Sequence, residues 1–206
     1  MFENLLQWDE KCFSWFFIQF RHADFVSLME LISNKFTWVP LYLLLIIYFI
    51  WRHKLKSMVW ILSLSILAGI TDLSGNYLKK LFSRDRPCMN VNTGELIKEI
   101  YQKEGREFHC QTKGGSFPSN HAFNHFAIGI FLFLYFSKRN RIIAWLFILW
   151  AISVSVSRIY LGLHFPLDIL GGGLMGGISG WIFYSITNSR GARIRTGDLD
   201  VPNVTR

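Results

Sequence analysis

Long apolar runs closed by basic residues dominate this chain, and they leave little choice but a bundle of helices in a bilayer. Five segments qualify as spans: residues 36–51, 57–78, 121–137, 142–157 and 165–187. Some are shorter than the roughly 20 residues that a hydrocarbon core requires; each lengthens if its helix runs a turn into the interface. Hydrophobic residues make up 51% of the chain and charged ones 17%, which argues against an ordinary soluble domain. The fold class read from this pattern is all-α, a polytopic membrane helical bundle. The net charge of +8 does not call for nucleic acid, because the cations flank apolar segments and suit anionic headgroups.

Residues 2–34 are too broken to span. Leu5, Trp8, Cys12, Trp15 and Phe16 recur at helical spacing, and Arg21, His22 and Asp24 then interrupt the run. Two short interfacial helices anchored by Trp and Phe fit this pattern; a poorly formed extra span is the rival reading. The acidic Glu3, Asp9 and Glu10 are wrong for a cleavable signal peptide.

Charge in the short loops sets an orientation. Arg52-His53-Lys54-Leu55-Lys56, Lys138-Arg139-Asn140-Arg141, and Arg190, Arg193 and Arg195 after the last span share one side if five spans alternate. The positive-inside rule makes that side cytoplasmic and places loops 79–120 and 158–164 outside. Within the longer loop, residues 94–108 predict a surface helix capped by Thr93 and ended at Gly105, with Glu99 and Lys103 as an i, i+4 pair. It is either a roof over a lipid entrance or a solvated connector. Cys88 and Cys110 lie in the same loop and can pair if it faces an oxidising compartment. The four-residue repeats Gly172, Gly176, Gly180 and Gly173, Gly177 allow close helix packing inside the bundle. Residues 188–206 are polar and Arg-rich, and predict a disordered tail behind a membrane domain of residues 1–187.

Three clusters of chemically useful residues fall at the outer ends of these spans. The first is Lys79-x6-Arg86-Pro87. Its two cations lie two helical turns apart, so a continuing helix puts both on one face, where they can clamp an anion before Pro87 stops the helix. Lys80 and Arg84 read as ordinary cations of the membrane boundary. The second is Gly114-Gly115-Ser116-Phe117-Pro118-Ser119-Asn120-His121, which opens the third span. A helix N-terminus attracts anions, Ser119 adds a hydroxyl near the cap, and His121 sits in the first turn. The third is Ser157-Arg158-x5-His164-x3-Asp168. His164 and Asp168 share one face of a helix that begins at Pro166, so the carboxylate can hold one imidazole nitrogen and leave the other as a nucleophile. A charge at Asp168, within an apolar run, is costly enough to imply a purpose. Asp72 and Asn76 read as hydrogen-bonding groups across the bundle. His121 and His125, four apart, with Cys88, His109 and Cys110 suggest zinc, but they are not spaced as two compact pairs and His121 is better matched to the anion site.

In this order and at these places the clusters resemble the signature of the type 2 phosphatidic acid phosphatase family, whose fold is shared with vanadium haloperoxidases. All fixed positions match between residues 79 and 168, and Asn120 stands where many members have Gly. The resemblance implies a lipid phosphatase that needs no metal or other cofactor. His164 attacks phosphorus and forms a phosphohistidine, Asp168 orients it, and His121 protonates the leaving oxygen and later helps activate water. Lys79, Arg86 and Arg158, with Ser119 and the Asn120 backbone, hold the phosphate oxygens. It further implies a lipid substrate with a terminal phosphate, taken from the outer leaflet of a bacterial inner membrane. Undecaprenyl diphosphate is the first expectation; lipid A, phosphatidylglycerophosphate and phosphatidic acid are the alternatives. A non-catalytic lipid-phosphate binder and a vanadate-dependent haloperoxidase are the rival classes.

Overall fold

A computed structural model describes residues 2–110 and 114–197, with the side chains of 3–110 and 114–189. The described residues form eight α-helices: α1 (Phe2–Phe20), α2 (Ala23–Ser33), α3 (Val39–His53), α4 (Ser57–Phe82), α5 (Val91–Lys103), α6 (Asn120–Ser137), α7 (Arg141–Tyr160) and α8 (Pro166–Gly197). Local chemistry fixes several boundaries. Asn140 caps α7 by accepting from the Ile142 and Ile143 N–H groups at 3.0 and 3.1 Å. Ser119 caps α6 through the Ala122 N–H. Pro40 lies in the first turn of α3, where its missing N–H costs nothing.

Helix α6 is the axis of the bundle. Phe131, Leu132 and Tyr135 on it are fully buried among α3, α4, α7 and α8. Tyr135 meets Trp60 edge-on at 4.7 Å between ring centroids. On α8, Gly172, Gly176 and Gly180 lie directly against the backbone carbonyls of Ser119, Phe123 and Ala127. Any Cβ there collides with backbone, so the glycine repeat serves packing within the chain, as its spacing predicts. The outward faces stay apolar: Leu44, Leu73 and Leu174 are each more than 60% exposed, which suits contact with lipid.

Three segments among the described residues are long and apolar enough to cross a membrane: Lys35–Phe82, Arg141–Tyr160 and Pro166–Ser189. The first folds as the hairpin of α3 and α4, turning at Lys54 with φ +50°. Helix α6 falls outside this set because His121, Asn124 and His125 occupy its first turns. The expected five spans therefore correspond to four helices in three apolar segments, plus the polar-headed α6 that they enclose.

The N-terminal helices form as expected, and neither meets the criteria of a span. They pack on the end of the bundle where α4 and α7 finish and α6 and α8 begin. Phe13 and Phe17 of α1 are buried with Ile97, Tyr101 and Phe165. Arg21 pins the corner between α1 and α2. It holds Glu104 through Nε and Nη2, at 2.9 and 2.8 Å, and donates from Nη1 to the Tyr160 carbonyl at 2.7 Å. Its guanidinium also lies 4.0 Å from the Tyr101 ring centroid.

Two expectations need correction. Helix α5 begins at Val91 rather than Gly94, because Asn90, not Thr93, is its cap. The Asn90 side chain accepts from the Asn92 and Thr93 N–H groups, while the Thr93 hydroxyl turns to the Pro87 carbonyl at 2.6 Å. Gly105 does close this region, with φ +65°. Through Ile97 and Tyr101, α5 buttresses α1 and the connection between α7 and α8. The second correction is at the C-terminus: α8 continues past Thr187 to Gly197, since no proline before Pro202 stops it. The expected disorder of residues 198–206 lies outside the described residues. Cys88 and Cys110 form a disulfide.

Candidate active site

Four helix ends and two loops deliver the three clusters to one place. Lys79 comes from the last turn of α4 and Arg86 from the loop after it. Ser119 and His121 open α6, Arg158 closes α7, His164 lies in the connection to α8, and Asp168 stands in the first turn of α8. Lys79, Arg86, Arg158, His121, His164 and Asp168 stand near enough for their charges to act on one another. Arg86 also donates to the carbonyl of Leu163, next to His164, at 3.3 Å.

His164 is 1% exposed, and its Nδ1 lies 3.4 Å from Asp168 Oδ2. A carboxylate only accepts, so Nδ1 carries the proton and Nε2 keeps the lone pair. Burial pushes the His164 pKa down to about 4; the charges of Arg158 and Lys79 push the same way, and Asp168 opposes them. The ring is therefore neutral and nucleophilic at ordinary pH. Burial also lowers the pKa of Arg86, and Asp168 offsets part of that effect.

Asp168 is fully buried and heavily engaged. Oδ2 accepts from the Phe165 N–H at 2.9 Å and from the Ser116 hydroxyl, and Oδ1 accepts from Arg84 at 2.8 Å. Its backbone carbonyl takes the Ser119 N–H at 3.0 Å. Ser119 thus offers the site its hydroxyl and not its amide.

Two atoms identify what the cup lacks. Arg86 Nε and Arg158 Nε are buried and have no hydrogen-bond partner among the described residues. A buried donor left unpaired costs about 1–3 kcal/mol, more when charged. Two such donors from different segments, beside a lysine and the start of a helix, call for an anion with several acceptor oxygens.

The sequence misplaced or missed five residues. Arg84 is no boundary cation. It bridges two buried carboxylates, Asp168 and Asp9 of α1, at 2.8 and 2.6 Å, and lies 4.5 Å from the Phe165 ring centroid. Asp9, fully buried, also accepts from the Leu167 N–H at 2.9 Å. Burial raises the pKa of Asp9, and its bonds to Arg84 and Leu167 oppose the rise. Ser116 and Ser33 carry no sequence signal of a role; the first donates to Asp168 and the second accepts from Arg158 Nη1. The Asn120 side chain turns away from the cup, donating to Asn76 and Asp72 of α4 at 2.8 and 3.3 Å. Its backbone N–H, in the first turn of α6, is the part left for an anion. Asp72 and Asn76 do bond across the bundle, as expected. The zinc arrangement lacks its thiolates, because Cys88 and Cys110 are bonded to each other.

Arg84 acts on the site through Asp168, so Arg84→Met should lower kcat by about 10- to 100-fold through misplaced geometry, with little change in KM. Arg84→Lys should restore only part of this, because an ammonium cannot fork two carboxylates. Steady-state kinetics on a lipid phosphate read both values.

The chain is similar to known membrane phosphatases. The chain is 33% identical over 180 residues to a lipid A 4'-phosphatase of Bacteroides thetaiotaomicron, covering 84% of this chain and 74% of that one. It is 30% identical over 127 residues to the undecaprenyl-diphosphatase BcrC of Bacillus subtilis, covering 60% and 58%. The crystal structure of a transmembrane PAP2 type phosphatidylglycerolphosphate phosphatase from Bacillus subtilis superposes with a TM-score of 0.67 at 20% identity, over 90% of this chain and 88% of that chain. Residues 57–192, which hold every residue of the three clusters, match the family pattern described as the PAP2 superfamily, and the chain belongs to that superfamily.

Proposed function

We propose that this lipid phosphatase removes a phosphate monoester from an acylated saccharolipid of the lipid A type, through a phosphohistidine at His164. The observation that carries the chemistry is the cup itself. A neutral, buried imidazole, held at Nδ1 by Asp168, shares a site with two guanidinium groups whose Nε–H donors have no partner. In this reading His164 Nε2 attacks phosphorus in line with the leaving oxygen. Lys79, Arg86 and Arg158 take up charge as it builds on the equatorial oxygens, with the Ser119 hydroxyl and the Asn120 N–H. His121 gives a proton to the leaving oxygen, then takes one from the water that cleaves the phosphohistidine.

Similarity to the lipid A 4'-phosphatase over 84% of the chain supports the substrate. Undecaprenyl diphosphate, the first expectation from sequence, becomes the second reading; similarity to BcrC over 60% of the chain favours it. The basic loops at the far end of the bundle support a site facing the periplasm or exterior of an inner membrane. There His53 meets the Tyr135 hydroxyl at 2.6 Å and Arg139 lies over the same ring.

A headgroup panel tests the reading. Purified protein in detergent should release phosphate from lipid A with a kcat/KM about tenfold or more above that for undecaprenyl diphosphate. The reverse order would favour the second reading. Tight binding of both lipids without release would establish a binding protein instead.

A further inference from the structure

Beneath the cup, α3, α4 and α6 enclose a cleft of about 310 Å³. Leu45, Phe49, Ile61 and Leu64 make its depths apolar, and Lys35 stands on its wall. Tyr42 and Ser65 add hydroxyls to this lining, and α6 adds two acceptor atoms, Asn124 Oδ1 and His125 Nε2. Both acceptors are buried, and neither has a hydrogen-bond partner among the described residues. His125 itself is only 7% exposed. Its Nδ1 lies 2.8 Å from the His121 carbonyl. A carbonyl only accepts, so Nδ1 carries the proton, and Nε2 of the neutral ring presents a lone pair. An amide oxygen likewise accepts. Successive residues, one helical turn below His121, thus bring two acceptors to a largely apolar wall, and no donor among the described residues reaches either.

We infer that this cleft is a specificity subsite for the part of the lipid next to the phosphate, and that this part carries a hydroxyl or an amide N–H above its acyl chains. The inference rests on the cup being the phosphate site, and it deepens the reading of the substrate. An acylated sugar brings hydroxyls and amide-linked chains to that depth. A polyprenyl diphosphate brings only hydrocarbon below its phosphates and leaves both acceptors bare. Leaving a buried acceptor bare is a strong means of rejecting a ligand of similar shape.

The test compares full-length wild type with Asn124→Leu and His125→Phe, in detergent, on lipid A and on undecaprenyl diphosphate. Each variant should lose roughly tenfold or more in kcat/KM on lipid A, and several-fold less on the donor-free prenyl lipid. His125 lies parallel to His121, with ring centroids 6.1 Å apart, so a purely supporting role predicts equal losses on both lipids. Equal losses, or unchanged kinetics on lipid A, would overturn the subsite and leave the phosphatase reading standing. Wild type active on the prenyl lipid alone would overturn both the subsite and the lipid A reading. Asn124→Leu decides alone if His125→Phe does not fold.

Discussion

His164→Ala should reduce phosphate release by about ten-thousand-fold or more, the scale on which loss of a nucleophile is felt when the rest of its constellation remains. The fold should survive. Asp168 loses only a partner at 3.4 Å and keeps Ser116, the Phe165 N–H and Arg84. Lipid should still bind, because Lys79, Arg86 and Arg158 are untouched. Loss of turnover with binding retained distinguishes a missing nucleophile from a collapsed site. The pH profile gives a second reading. A histidine lowered to about 4 stays neutral through the ordinary range. The acid limb of kcat/KM in wild type should therefore lie near pH 4 rather than near the ordinary histidine value. Activity is lost as pH falls through that value, because the proton then occupies the attacking lone pair.

Asp168→Asn should be nearly as damaging and should fail differently. One face of the carboxylate accepts from Ser116 and the Phe165 N–H beside His164, and the other accepts from Arg84. An amide offers a single oxygen, so its NH2 must confront donors on one side. Breaking a buried pair in this way costs about 3–5 kcal/mol of stability. The imidazole also loses the acceptor that fixes its tautomer, an effect worth up to about ten-thousand-fold in rate. The variant should show a lower melting temperature together with the kinetic loss. His164→Ala should show the kinetic loss almost alone. If Asp168→Asn instead keeps wild-type stability and turnover, the carboxylate does not hold His164.

The parts of the site that sequence revealed are those fixed by chemistry within a short stretch. Lys79 and Arg86, Ser119 and His121, and His164 and Asp168 each lie within a few helical turns of one another, at the ends of apolar runs that announce themselves. The parts it hid depend on contacts between distant segments. Arg84 follows Lys79 and Lys80, and three cations at a span end look alike until one proves to be wedged between carboxylates. Asp9 lies 75 residues from Arg84. It sits on an amphipathic helix where an acidic residue is expected to face water, and only the docking of α1 reduces its exposure to 0%. Ser33 is 125 residues from the arginine it meets. The N-terminal helices, read from sequence as interfacial anchors, thus also steady Asp168, through Asp9 and Arg84, and Arg158, through Ser33.

Smaller differences have equally local causes. Asn90 and Thr93 are both good caps, and pattern alone does not decide between them; the Thr93 hydroxyl is committed to the Pro87 carbonyl. In the proposed mechanism Asn120 lies beside the phosphate. Its side chain is drawn to Asp72 and Asn76 because a polar group between helices seeks partners on the neighbouring helix.

Covalent capture of the intermediate tests the central claim most directly. Enzyme mixed with lipid substrate, quenched in alkali within a turnover and digested for mass spectrometry, should carry one phosphoryl group on His164. The adduct should be absent from His164→Ala. An unmodified His164 under conditions of rapid phosphate release, or a phosphoryl group on His121 in its place, would contradict the account.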